Sequence, residues 1–149
     1  MVSIRKASIK DLDIITGFQL QLAAETENLK LDEQVVRKGL TALLSDPSKG
    51  IYYVAEYEGV PVGCHLITFE WSEWRNGTVW WLQSVYVKES HRKHKVFSAM
   101  YANLKRMINE GTGILGLRLY VDKSNQRAQQ VYSALGMNGE HYTVFEWMK

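Results

Sequence analysis

The densest chemical feature of this 149-residue chain is His91-Arg-Lys-His-Lys95, five cationic or imidazole side chains in a row. Before it runs Trp80-Trp-Leu-Gln-Ser-Val-Tyr-Val87, an aromatic and β-branched stretch of strand character. After it, Val96, Ala99, Met100, Leu104 and Met107 recur at spacings of three and four, the period of a helix face. Strand, cationic turn and helix is an order that aims backbone N–H groups and a helix dipole at an anion. The plain alternative is a strand-to-helix connection with a solvated basic turn. Glu25, Glu27, Glu70 and Glu73 form a second set. Each could attract a cationic amine or deprotonate it through water, and each also reads as a solvated surface carboxylate. Trp71, Trp74, Trp80 and Trp81 fall within eleven residues. They suit an aromatic cage for a cation, or core packing plus a subunit interface. His65, on an apolar strand, reads as a satisfied core histidine rather than a ligand. No His/Cys/Asp/Glu set has metal-ligand spacing, so no metal is expected.

Composition narrows the classes. With 46% apolar and 23% charged residues the chain is a globular one, expected to form a single domain over residues 1–149. A net charge of +2 gives no reason to expect nucleic acid or membrane as partner, and points to a local anion site instead. Cys64 is the one cysteine, so no intramolecular disulfide can form. It fits a reducing compartment and reads as a small buried hydrophobe. No basic-then-apolar leader opens the chain, and no apolar run approaches the roughly 18 residues of a membrane span. A cytoplasmic location is the expectation.

The elements that position these residues follow in order. Val2–Ala7 reads as a first strand, and Ser8 or Asp11 caps a helix carrying Leu12, Ile15, Phe18, Leu22 and Ala23 on one face. Asp32 caps a second helix through Leu44. Ile51–Tyr57 and Val60–Phe69 flank Glu58-Gly59 as an antiparallel hairpin, and Asn76-Gly77 marks the next turn. After the Val96 helix, Leu115–Val121 alternates as a strand. Asn125 caps a helix with Ala128, Val131, Tyr132 and Leu135 on one stripe, ending at Gly136. His141–Trp147 reads as a closing strand. The sum is α/β with a mostly antiparallel mixed sheet, helices on both faces, in the order β-α-α-β-β-β-α-β-α-β.

This order resembles the GNAT superfamily of acyl-CoA-dependent N-acetyltransferases, over essentially the whole chain. Leu119-Tyr-Val-Asp-Lys-Ser-Asn-Gln-Arg-Ala-Gln-Gln-Val-Tyr-Ser-Ala-Leu-Gly-Met137 is similar to the family's strand, Asn-x-x-Ala-x-x-x-Tyr helix and Leu-Gly-Phe/Met. Val54–Gly63 resembles its second-to-third strand hairpin. The family's Arg/Gln-x-x-Gly-x-Gly/Ala falls on Arg92-Lys-His-Lys-Val-Phe97, where the arginine matches and Lys95 and Phe97 take the glycine positions.

The resemblance implies acetyl-CoA as cosubstrate. Its pyrophosphate would lie on the Arg92, Lys93, His94, Lys95, Val96, Phe97 and Ser98 segment, and its pantetheine amides along Ser84, Val85, Tyr86 and Val87. If the turn needs positive φ at residue 95, a lysine there costs roughly 1–2 kcal/mol; if it needs only close approach, Phe97 can turn its ring to the core while its N–H faces the ligand. Asn125 and Ala128 would add cofactor contacts. Tyr132 is implied as the catalytic acid, since a phenol of pKa near 10 can protonate a departing thiolate. The carboxylate base that some family members carry on the fourth strand falls on Trp81, so no general base carries over. Glu25, Glu27, Trp81 and Gln83 are the candidates for the acceptor side. The implied activity is acetyl transfer to a primary amine in a ternary complex. A small cationic amine or polyamine ranks ahead of a protein N-terminus or lysine, and a homodimer is compatible with the aromatic cluster. The rival is a non-catalytic acyl-CoA-binding or regulatory module, motivated by Lys95 and Phe97.

Overall fold

Alternating apolar residues set the sheet. In the computed structural model, which describes residues 1–149, β1 (Val2–Lys6), β2 (Ile51–Tyr57), β3 (Val60–Ser72), β4 (Gly77–Val87) and β5 (Ile114–Leu119) lie side by side in that order. The first four are antiparallel neighbours, and β5 joins parallel to β4. Glu58 and Gly59 both have positive φ, 51° and 79°, as the twist of a two-residue hairpin demands.

Period-two alternation sends successive side chains to opposite faces. On one face Tyr52, Val54, Cys64, Leu66 and Tyr86 pack with Ile15 and Phe18 of α1 (Leu12–Glu27) and Leu40 of α2 (Glu33–Leu44). On the other, Ala55, Val62, Ile67 and Leu82 pack with Val96, Met100 and Leu104 of α3 (Val96–Glu110). Each fully buried aliphatic side chain contributes about 1.5–3 kcal/mol. The caps agree with the sequence reading: Ser8 caps the turn before α1, and the Asp32 carboxylate accepts from the N–H groups of Gln34 and Val35.

The chain divides into two compact units, Met1–Leu119 and Tyr120–Lys149. The first holds the sheet and α1–α3. The second holds α4 (Gln126–Ala134), whose cap is Asn125, accepting from the Ala128 N–H at 3.1 Å. Gly136 at φ 88° ends it, with the Met137 N–H donating to the Tyr132 carbonyl.

The closing strand expected over His141–Trp147 is not formed, and residues 138–149 carry no regular element. The residue types favour extended backbone, but a strand exists only when another strand accepts its ladder bonds.

His65 also departs from expectation. It is fully buried, with neither ring nitrogen hydrogen-bonded, and stacks on Tyr53 at 5.2 Å between centroids. A core histidine it is; a satisfied one it is not.

Candidate active site

Two features of β4 build the site in the first unit. The first is a bulge. Gly63 faces Val87, Cys64 faces Tyr86 and Leu66 faces Gln83, so His65 of β3 stands opposite two residues, Ser84 and Val85. Ser84 absorbs the extra residue with φ 54°, a left-handed value that bulges commonly need. The bulge also switches faces. Trp81 and Gln83 share the α1 side with Tyr86, while Val85 and Val87 turn to the α3 side. A ligand meeting this edge finds main-chain groups turned out of ladder register.

The second feature is divergence from β5. Parallel pairing runs from Thr78 with Ile114 to Leu82 with Leu119, and there β5 ends. β4 continues through Gln83–Val87, about 16 Å of backbone at about 3.3 Å per residue. On its β5 side that stretch has no strand neighbour, the arrangement into which an extended amide chain can add.

The open edge leads directly into the basic turn. Lys88 closes β4 by donating its N–H to the Val62 carbonyl at 2.8 Å, and Glu89–His91 forms a single 3-10 turn. Lys95 is the N-cap of α3 with φ 59° and ψ 27°, and its side chain makes no cap. The first-turn N–H groups of Val96, Phe97 and Ser98 therefore have neither an intrahelical acceptor nor a capping side chain, and no acidic residue stands in that turn. Lys93, His94 and Lys95 are exposed beside them. Uncapped amides, a positive dipole end and the two exposed lysines together favour an anion. Phe97 turns its ring toward the core clusters around Met100 and Leu104.

Arg92 is placed differently from the other cations. Its Nε donates to the Val87 carbonyl at 3.0 Å, its Nη2 is ion-paired with Glu25, and its guanidinium stands 5.9 Å from the Tyr86 ring centroid. It ties the end of α1 to the end of β4. Its guanidinium is engaged by Glu25, which leaves Lys93 and Lys95 as the exposed lysines of the turn. His91 and His94 form a ring cluster with Tyr57, at 5.4 and 5.1 Å.

Lys95 is strained, because a non-glycine residue in the left-handed region costs roughly 1–2 kcal/mol. Lys95→Gly is expected to raise unfolding stability by about 1 kcal/mol, less than the full strain because glycine gains freedom when unfolded. Calorimetry should show a melting temperature about 2–4 °C higher. An unchanged or lower value would mean the left-handed turn is not a cost.

On the α1 side of the sheet, Trp81 and Gln83 enter a row of polar contacts. Trp81 Nε1 donates to Glu70 Oε1 at 2.8 Å, and Arg118 donates to Glu70 Oε2 at 2.9 Å. Gln83 Nε2 donates to Thr68 Oγ1 at 2.6 Å. Both oxygens of Glu70 are thus engaged, so it serves as an anchor rather than a loose carboxylate. Thr68 and Arg118 escape a reading of the sequence. The one available signal is that Arg118 interrupts an otherwise apolar strand. Glu27 and Glu73 stay exposed. A groove of about 430 Å³ lies at the end of α1, lined by Leu20, Ala24, Leu29 and Leu31 with Lys30 and Glu33 at its polar margin.

The tryptophans do not converge. Trp80 packs on the α3 face with Phe69, Trp81 lies on the other face, and Trp71 and Trp74 are exposed. Neighbours on a strand point apart, which rules out a cage built from Trp80 and Trp81.

Cys64 is buried against Gln19 Nε2 at 3.4 Å, and burial pushes its thiol up to about 12. It is no nucleophile at ordinary pH. In the second unit Tyr132 is half-buried, and desolvation holds its phenol above the ordinary tyrosine range.

No curated protein matches the chain. Among solved structures, a possible acetyltransferase from Clostridium difficile 630 is 39% identical, with TM-score 0.94 over 100% of this chain and 98% of that one. AAC(6')-Iy, solved with the bisubstrate analogue CoA-S-monomethyl-acetylneamine, shares the fold at 18% identity and TM-score 0.80, covering 100% and 99% of the two chains. A predicted acetyltransferase with acetyl-CoA from Clostridium acetobutylicum does so at 16% and 0.75, covering 98% and 96%. The acetyltransferase (GNAT) family model matches residues 17–137, and the chain belongs to that family of acetyltransferases.

Proposed function

We propose that this acetyltransferase moves an acetyl group from acetyl-CoA to a primary amine, by direct attack in a ternary complex. The observation that carries the reading is the continuous open edge of Gln83–Val87 leading into the uncapped first turn of α3. Main-chain groups of Ser84–Val87 hold the pantetheine amides. The N–H groups of Val96–Ser98, with Lys93, His94 and Lys95, hold the pyrophosphate. Acetyl-CoA supplies an acyl group already activated as a thioester. An N–H near Val85 or Val87 polarises the thioester carbonyl, where oxygen gains charge as the amine attacks. The carbon–nitrogen bond forms, the carbon–sulfur bond breaks, and Tyr132 gives its proton to the departing sulfur while the amine loses one. Asn125 and Ala128 belong to the same cofactor-facing motif. No acyl-enzyme is needed, in keeping with the buried, high-pKa Cys64.

On the acceptor side, a small cationic amine or polyamine ranks ahead of a protein amine. Glu25 and Glu27 put negative charge at the end of α1, and Trp81 and Gln83 present polar and aromatic surface on the same face of the sheet. That an aminosugar conjugate of CoA occupies AAC(6')-Iy is in keeping with this ranking.

Titration calorimetry with acetyl-CoA tests the cofactor assignment. Binding with Kd below about 1 mM is expected, a free energy beyond about −4 kcal/mol. Absence of heat at millimolar ligand would remove it. A thiol-release assay over a panel of amines then tests transfer: release that depends on a cationic amine is expected, whereas binding without release would favour a sensor.

A further inference from the structure

A cluster of buried polar groups stands behind the bulge, on the α1 side of the sheet. Cys64 is fully buried, Tyr52 is 3% exposed and Gln19 9%. Cys64 and Tyr52 share their cluster with Ile15, Phe18, Val54 and Leu66. A polar group in such surroundings loses its water and needs a polar partner instead. Here the partners converge on one residue. Gln19 Nε2 donates to Cys64 Sγ at 3.4 Å, and the Cys64 thiol donates onward to the Ser84 carbonyl oxygen, 4.0 Å away. The Ser84 hydroxyl donates toward the Tyr52 phenol oxygen. Burial pushes the thiol up to about 12, so sulfur keeps its proton and remains a donor.

Ser84 is the residue that needs holding. Its φ is 54°, and a serine left to itself favours the right-handed and extended forms by about five- to thirty-fold. The ladder gives little help, because Ser84 and Val85 have only His65 opposite the two of them. The Cys64 contact acts on the peptide between them. In a planar trans peptide the C=O and the following N–H point opposite ways. A thiol on β3 that draws in the Ser84 carbonyl therefore turns the Val85 N–H away from β3, toward the side that β5 leaves open.

We propose that Cys64 and Tyr52, with Gln19 seating the thiol, are positioning residues for acetyl transfer. They hold Ser84 in its left-handed form and so aim the Val85 N–H at the thioester carbonyl. The inference rests on the role proposed for Val85 in polarising that carbonyl. The buried cysteine acts by hydrogen bonding alone, with no bond made or broken at sulfur. Tyr52 acts on the same residue through its side chain, so the carbonyl and the hydroxyl of Ser84 are both tethered. A bulge held only by the ladder pairs on either side of it would need none of these groups, and apolar residues would pack there as well.

Cys64→Ala/Tyr52→Phe, made in the parent and in Ser84→Gly, tests this, because glycine takes positive φ unaided. In the parent the double change is expected to lower kcat/KM for acetyl-CoA by about tenfold, within the preference that it releases. In Ser84→Gly, itself within about threefold of the parent, the same change is expected to lower it by less than about twofold. A merely structural role would lower the melting temperature and leave kcat/KM alone, which overturns the proposal. Equal losses in the two backgrounds overturn it too, as does an inactive Ser84→Gly. The Ser84 Cα and Cβ chemical shifts, which separate left-handed from extended backbone, are read on the same proteins without ligand. They are expected to move toward extended values in the double variant, and unchanged shifts overturn the proposal whatever the kinetics. A parent that neither binds acetyl-CoA nor releases thiol would instead sink the proposed function, with the shifts still deciding whether Ser84 is held. Should the double variant fail to fold, Tyr52→Phe alone, which removes one oxygen, carries the same comparison.

Discussion

Replacing Tyr132 with phenylalanine is expected to lower kcat by about 10²–10³-fold with acetyl-CoA affinity unchanged. The figure is the usual yield of a positioned general acid. The substitution removes one oxygen and keeps the ring. The phenol suits the role because desolvation keeps it above the ordinary tyrosine range, which favours the protonated form near neutral pH. A pH profile gives a second readout. The basic-side loss of kcat assigned to Tyr132 falls above pH 10 in the parent and is absent in the phenylalanine variant. The checks are steady-state thiol release for kcat and calorimetry for acetyl-CoA. Unchanged turnover would remove Tyr132 from the proton-donor role; lost cofactor affinity would make it a binding residue instead.

The second large effect concerns stability in acid. Burial depresses the His65 imidazole from its ordinary 6.5 to about 4. Above pH 6.5 the ring is neutral whether the chain is folded or not, and nothing is linked. Between 6.5 and about 4 the unfolded chain takes up a proton that the folded chain refuses, so stability falls as the pH falls. Below 4 both states bind it and the loss levels off. The window is worth about 3 kcal/mol at about 1.4 kcal/mol per tenfold. His65→Leu, of similar volume and with no polar atoms, is expected to lack this loss. At pH 7 it should also be about 1–2 kcal/mol more stable, since two unsatisfied buried nitrogens disappear. Urea melts of both proteins at pH 7, 5.5 and 4 provide the comparison, because the carboxylates that also titrate there are common to both. Parallel curves for parent and variant would show that His65 is not the group responsible.

The difference between what is local and what is not explains how far the sequence could be read. Asp32 and Asn125 were legible as caps because a cap is made with residues two or three positions on. The Glu58-Gly59 hairpin was legible because positive φ at two adjacent positions is a local demand. Strain at Lys95 was legible only as one of two readings that the family's glycine pattern left open, and its φ of 59° decides between them. The Asn125–Tyr132 pattern and the element order carried the family resemblance, and the matched family model covers both.

What lay outside reach was set by distant partners. Arg92 and Glu25 are 67 positions apart, and nothing near either one foretells their ion pair. The anchoring of Glu70 by Trp81 and Arg118 depends on three strands lying side by side. The extra residue at Ser84–Val85 is invisible to a period-two pattern, because a bulge is defined by the strand opposite. His65 looked satisfied, since its two bare nitrogens follow from which side chains surround it.

The basic turn and the segment after α4 show the division most clearly. By itself the sequence determined the residue types: cations between a strand and a helix, and an extended apolar run at 141–147. Propensity and charge belong to single residues and survive any folding. Only the tertiary structure decided that β4 outlasts β5, opening an edge that runs into an uncapped helix, and that residues 138–149 carry no regular element. Backbone hydrogen bonds in a sheet need two strands, and which strands meet is a property of the whole fold.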